Sequence, residues 1–130
     1  MATKSEILDY VDWYKKQYEV LEEPIYEIYL IHNPDKELYN NQGLPTGFPD
    51  NGYEETIGFY YDIDIAIIAL RENWLDINEF GSYNAAFILC KFPGLDNAAG
   101  EWARMFFIWD DTAHGFVECD EPAIHHHMAY

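Results

Sequence analysis

Apolar residues recur at helical spacing at the start of the chain, through Ile7, Leu8, Val11, Tyr14, Tyr18 and Leu21, with Asp9, Asp12, Lys15, Lys16, Glu19 and Glu22 between them. Thr3 and Glu6 precede the run in the order of a capping box, so the spacing predicts an amphipathic helix from Lys4 to about Leu21. Glu22, Glu23 and Pro24 close it. The period then drops to two: Tyr26, Ile28 and Leu30 alternate with Ile25, Glu27, Tyr29 and Ile31, which predicts an interior strand over Ile25 to His32. From Asn33 to Glu55 proline, glycine and asparagine abound and no period survives. That stretch reads as a long loop, a candidate contact region or a plain insertion in a hairpin. A short strand, Thr56 to Tyr61, follows.

The most apolar segment is Asp62 to Ser82. Asp62 stands where an N-cap belongs, Asp64 adds a carboxylate to the first turn, and Gly81 lies past the expected end. Ile63, Ile65, Ala66, Ile67, Ile68, Ala69 and Leu70 leave almost no polar side, as in a helix buried on most faces. From Arg71 onward Glu72, Asn73, Asp76, Asn78 and Glu79 surround Trp74, so the second half is the part suited to show an acidic and aromatic edge to a partner.

After Gly81 period two returns in Tyr83 to Phe92, Trp102 to Trp109 and Gly115 to Cys119, joined around Pro93-Gly94 and Asp110-Asp111-Thr112. The first two runs are apolar on both faces, so either the helices cover both sides of the sheet or one aromatic face is an interface, which could join two copies as a homodimer. The order of elements predicts a single α+β domain over residues 1–130: an N-terminal helix and a mostly antiparallel sheet of four or five strands, with one central helix packed across it.

Charge changes this picture more than composition does. Twenty-four acids against 7 bases give a formal net charge of -17, yet 49% of residues are hydrophobic, so the chain can fold and is no disordered acidic tail. The charge divides into -8 over residues 1–60 and -9 over residues 61–130, which places it on the folded surface. Such a surface repels nucleic acid and anionic membranes and speeds encounter with basic proteins. Cys90 and Cys119 have no framework spacing, the N-terminus has no signal-like apolar core, and no run reaches membrane-spanning length; a soluble cytoplasmic protein is expected.

Catalytic chemistry finds little footing. Ser5 and Ser82 lie in no nucleophile elbow, Cys90 lies mid-strand, and no phosphate-binding glycine motif occurs. His125, His126 and His127, with His114 and Cys119 nearby, lack the spacing of a zinc site, so no metal and no cofactor is assigned. Acid pairs such as Glu22-Glu23, Glu54-Glu55, Asp110-Asp111 and Asp120-Glu121 are what so acidic a chain contains in any case. Carboxylates fixed on a scaffold beside tyrosine and tryptophan do suit a protein that fills a basic groove.

The run Gly58 to Cys90, through Ala66, Asn73, Asp76, Ile77, Glu79, Tyr83 and Ala85, followed by Trp102 and Phe106-Phe107, resembles small acidic proteins of Firmicutes and their mobile elements. That resemblance implies a shared fold and assigns no activity. In size, acidity and lack of catalytic motifs the chain also looks like phage-encoded inhibitors of host defence, the anti-CRISPR and antirestriction proteins. The expectation is a non-enzymatic inhibitor that occupies the nucleic-acid groove of a basic nuclease, or nuclease-guide complex, by charge mimicry. Its expected contacts are Glu22, Glu23, Glu54, Glu55, Trp74, Asp76, Glu79, Asp110 and Asp111. An immunity protein capping a basic toxin is one alternative, and a small carboxylate-dependent hydrolase with a cleft lined by Trp102 and Trp109 is another.

Overall fold

The computed structural model describes residues 3–32, 53–78, 83–93 and 103–119. Within them the chain runs α1 (Lys4–Tyr18), β1 (Ile25–His32), β2 (Tyr53–Tyr60), α2 (Ile63–Arg71), a short 3-10 turn (Trp74–Asp76), β3 (Tyr83–Lys91), β4 (Arg104–Asp110) and β5 (Gly115–Glu118). The five strands form one sheet in the order β2-β1-β3-β4-β5, and every neighbouring pair is antiparallel. This is the expected α+β fold, with β1 interior as its two-sided apolar pattern requires.

Local chemistry sets the ends of the helices. Thr3 accepts from the Glu6 amide at 3.2 Å while Glu6 accepts from the Thr3 amide at 3.1 Å, so two otherwise unpaired donors are satisfied reciprocally. The first helix ends at Tyr18, three residues before the expected Leu21, because Glu19 turns left-handed and the Val20 amide closes back on the Lys15 carbonyl. Asp62 caps α2 by accepting from the Asp64 amide at 2.8 Å.

The expected helix from Asp62 to Ser82 is corrected to nine residues plus a turn. Asn73 adopts the left-handed conformation (φ 49°) directly after the helix cap, a role asparagine fills when glycine is absent. Its Oδ1 accepts from the Asn78 amide at 3.1 Å, and Asn78 in turn pairs with the Tyr83 backbone through both its amide nitrogen and its carbonyl oxygen, each at 3.0 Å. Two buried asparagine side chains thus replace the helical hydrogen bonds and lead the chain into β3. The long loop is also corrected, since β2 begins at Tyr53 instead of Thr56.

Both helices pack on one face of the sheet. Ile7 of α1 and Ile63, Ala66, Ile67, Ala69 and Leu70 of α2 meet Tyr26, Ile28 and Leu30 of β1, Ala86, Ile88 and Cys90 of β3, Met105 and Phe107 of β4, and Phe116 of β5. The ring of Tyr14 stacks on Phe92 at 4.2 Å, which seats α1, and Lys4 reaches Asp64 at 2.5 Å to join the two helix N-termini. Neither helix lies on the second face, where Ile31, Ala85, Phe87 and Phe106 form their own buried cluster. Phe87 and Phe106 in that cluster are 1% and 0% exposed.

Candidate binding groove

The sheet order makes β2 an edge strand, and at that edge its side chains are open. Ile57, Phe59 and the following Tyr61 are exposed, a pattern unusual for an edge that is not used. Opposite Ile28 and Tyr29 the register of β2 slips, leaving Ile57 as the additional residue of a bulge beside Gly58, whose φ of 147° favours glycine. Between this bulge and the 3-10 turn lies a groove of about 230 Å³. Ile57, Phe59 and Tyr60 form one wall, Trp74, Leu75 and Ile77 the other, and Ala69 of α2 and Ile28 of β1 reach it from the core side.

The turn presents its apolar groups outward at the expense of backbone comfort. Leu75 is 96% exposed at φ 60°, and Asp76 follows at φ 50°, both in the left-handed region that side chains other than glycine and asparagine rarely occupy. Trp74 is half covered, its ring edge-on to Tyr60 at 6.3 Å. Glu72 and Asp76 are exposed beside it, so the groove is apolar inside and acidic at its rim.

The residues named from the sequence fall in separate places. Trp74 and Asp76 are together on the groove's turn. Glu54 and Glu55 stand on β2, opposite Ile31 and Leu30 of β1, upstream of the bulge on the same edge strand. Glu22 and Glu23 lie at the other end of β1, exposed, with Glu23 held by Lys15 at 2.5 Å. Asp110 and Asp111 belong to the β4–β5 turn. There Asp110 accepts from the Thr112 and Ala113 amides at 2.8 and 3.2 Å, and Asp111 accepts from the Trp109 indole at 2.6 Å, so both shape the turn. Glu79 lies outside the described residues, as do Trp102 and the His125 to His127 run.

Ile57, Phe59 and Leu75 were not singled out from the sequence. Their signal was not available locally: the bulge at Ile57 breaks the alternation, so that Phe59 shares a face with Thr56, and only the sheet order shows this strand to be an edge.

Three other groups have a shifted pKa without joining the groove, among them Tyr26, whose phenol burial pushes up to about 12. Burial pushes the Cys90 thiol up to about 12, which keeps it protonated and unreactive inside β3. At Glu27, burial pushes the carboxyl up, but hydrogen bonds from Tyr29 (2.7 Å) and Thr56 (3.1 Å) and the Lys91 ammonium (3.4 Å) outweigh it and hold the group below the ordinary carboxylate range. No helix among the described residues is long and apolar enough to cross a membrane. No family model matches the chain, and no curated protein or solved structure matches it either.

Proposed function

We propose that the chain is a non-enzymatic binding protein that occupies the nucleic-acid groove of a basic host-defence nuclease by charge mimicry, in the manner of the anti-CRISPR and antirestriction inhibitors. The observation that carries this reading is how the few cations are placed. Each lysine among the described residues sits against an acid of the same chain: Lys4 against Asp64, Lys15 against Glu23, Lys16 against Asp12 and Lys91 against Glu27, at 2.5 to 3.8 Å. These four lysines are engaged internally, so the acidic excess behind the net charge of -17 is left for the surroundings. Exposed carboxylates at Asp9, Glu22, Glu72, Asp76 and Glu118 stand on helix, strand-end and turn positions of one rigid scaffold. Their spacing is therefore preorganised, which lowers the entropy cost of meeting a basic groove.

The test is capture of a partner from a bacterial host lysate at low and raised salt, with DNA or RNA added as competitor. Binding that falls steeply with ionic strength and is displaced by nucleic acid is the expected result. Equal capture at both salt concentrations, or indifference to the competitor, would refute the mimicry.

A further inference from the structure

We infer that the outer edge of β2, with the groove beside it, takes up an extended segment of a partner protein as an added strand, and that this segment alternates apolar residues with lysine or arginine. The inference rests on the reading of the chain as an acidic partner-binding protein and names the kind of segment it would hold. An edge strand turns half of its amide and carbonyl groups away from the sheet, and an extended peptide satisfies them while its alternate side chains enter whatever pocket adjoins the edge. Among the described residues no strand pairs with the outer side of β2. The adjoining pocket is the groove of about 230 Å³, apolar between Ile57, Tyr60 and Trp74, which accepts one or two aliphatic side chains.

Leu75 supplies the second argument. Its backbone is left-handed and its side chain 96% exposed, so among the described residues no burial of that side chain offsets the strain, and an apolar partner residue would. Charge identifies the occupant. Glu72 and Asp76 are exposed on the turn beside this edge, so a second copy would bring like charges together, whereas a basic segment would neutralise them. The bulge at Ile57 serves the same choice: it disfavours flat self-pairing and turns an apolar side chain toward the pocket.

The experiment uses the full chain and three fluorescein-labelled peptides of about seven residues, the length of an ordinary strand. One alternates valine and lysine, one alternates valine and glutamate, and the third is the basic peptide with alternate backbone amides N-methylated. Fluorescence polarisation should show the basic peptide binding at least about tenfold more tightly than either of the others. Phe59→Ser and Leu75→Gly, both at exposed positions, should each weaken it several-fold, and amide shifts on binding should concentrate on Ile57 to Tyr60 and Trp74 to Ile77. No binding of the basic peptide, binding that N-methylation leaves unchanged, or shifts confined to α1 would overturn the inference. So would a dimer of the chain that Phe59→Ser dissolves, because the occupant would then be a second copy. Salt-sensitive capture that survives Phe59→Ser would leave the mimicry standing without the strand addition. Peptide binding without nucleic-acid-displaced capture would do the reverse.

Discussion

The two edges of the sheet are finished in opposite ways. At one edge β5 has only four residues, Phe116 is fully buried, and Gly115 lies so close under the last turn of α2 that a β-carbon there would come within 1.9 Å of the Arg71 carbonyl oxygen. At the other edge β2 has eight residues, exposes Ile57 and Phe59, and borders the apolar groove. One edge is packed close under α2, and the other has exposed apolar side chains and, among the described residues, no strand on its outer side. A protein that needed only stability would have closed both, so the difference locates the part of the surface that the interior does not explain.

The contrast breaks most readily at the closed edge. Gly115→Ala forces the α2 terminus and β5 apart, and since the obstacle is backbone it cannot rotate away; a loss of about 3 kcal/mol is expected in urea unfolding. A variant as stable as the parent would show that β5 is not pressed against α2. Asn78→Ala tests the connection between the helix and β3. Three hydrogen bonds of this residue, two from its side chain to Tyr83, hold the turn that forms one wall of the groove, and the side chain is 2% exposed. A loss of about 2 kcal/mol should accompany weakened peptide binding at the β2 edge. Stability lost without any change at the groove would mean that the wall is held by something other than Asn78.

How much of this contrast could be read from the chain depends on the range of the interactions involved. Strand β1 was legible to the residue, since alternation through Tyr26, Ile28 and Leu30 is a local signal, and so were the Thr3–Glu6 box and the Asp62 cap. The end of α2 is not legible locally, because Gly81 is the stronger stop signal while Asn73 takes the left-handed position and its side chain accepts from the Asn78 amide, five residues on. The start of β2 was placed too late because Glu54 and Glu55 look unlike strand residues, although an edge strand can carry them. The acidity of the candidate site was plain from composition, and Trp74 and Asp76 were named. The groove itself was not, because Ile57, Phe59 and Leu75 become a surface only when the order β2-β1-β3 puts β2 outermost.

Leu75→Gly sharpens the open edge in the other direction. Relief of a left-handed non-glycine residue is worth about 1–2 kcal/mol, and the entropy of an added glycine returns about 1 kcal/mol. Stability should therefore stay within about 1 kcal/mol of the parent, without the helix-breaking loss expected of Leu8→Gly in α1, while peptide affinity falls. A clear loss of stability at Leu75→Gly would show that the leucine packs against the chain in solution, and the open edge would then be smaller than it looks.

The smallest effect lies between β2 and its neighbour, where Glu27 of β1 receives the Thr56 hydroxyl of β2 as well as Tyr29 and Lys91. Its carboxyl is held below the ordinary value of 4.5, so it is a depressed acid. Its contribution is complete above that value and disappears as the pH falls through the lower, folded-state value, when the unfolded chain binds the proton first. Thr56→Val removes one donor and should cost about 1 kcal/mol near neutrality, with a smaller difference from the parent once Glu27 is protonated in both states. Because Thr56 adjoins the bulge at Ile57, the same variant should also loosen the groove-side half of β2. Protection from hydrogen exchange at Ile57 to Tyr60, taken relative to the intrinsic rate at each pH, that falls in Thr56→Val as it does in the parent at low pH would show that this carboxylate fixes the open edge to the sheet. Unchanged exchange would assign the hold on β2 to its backbone pairing with β1 alone.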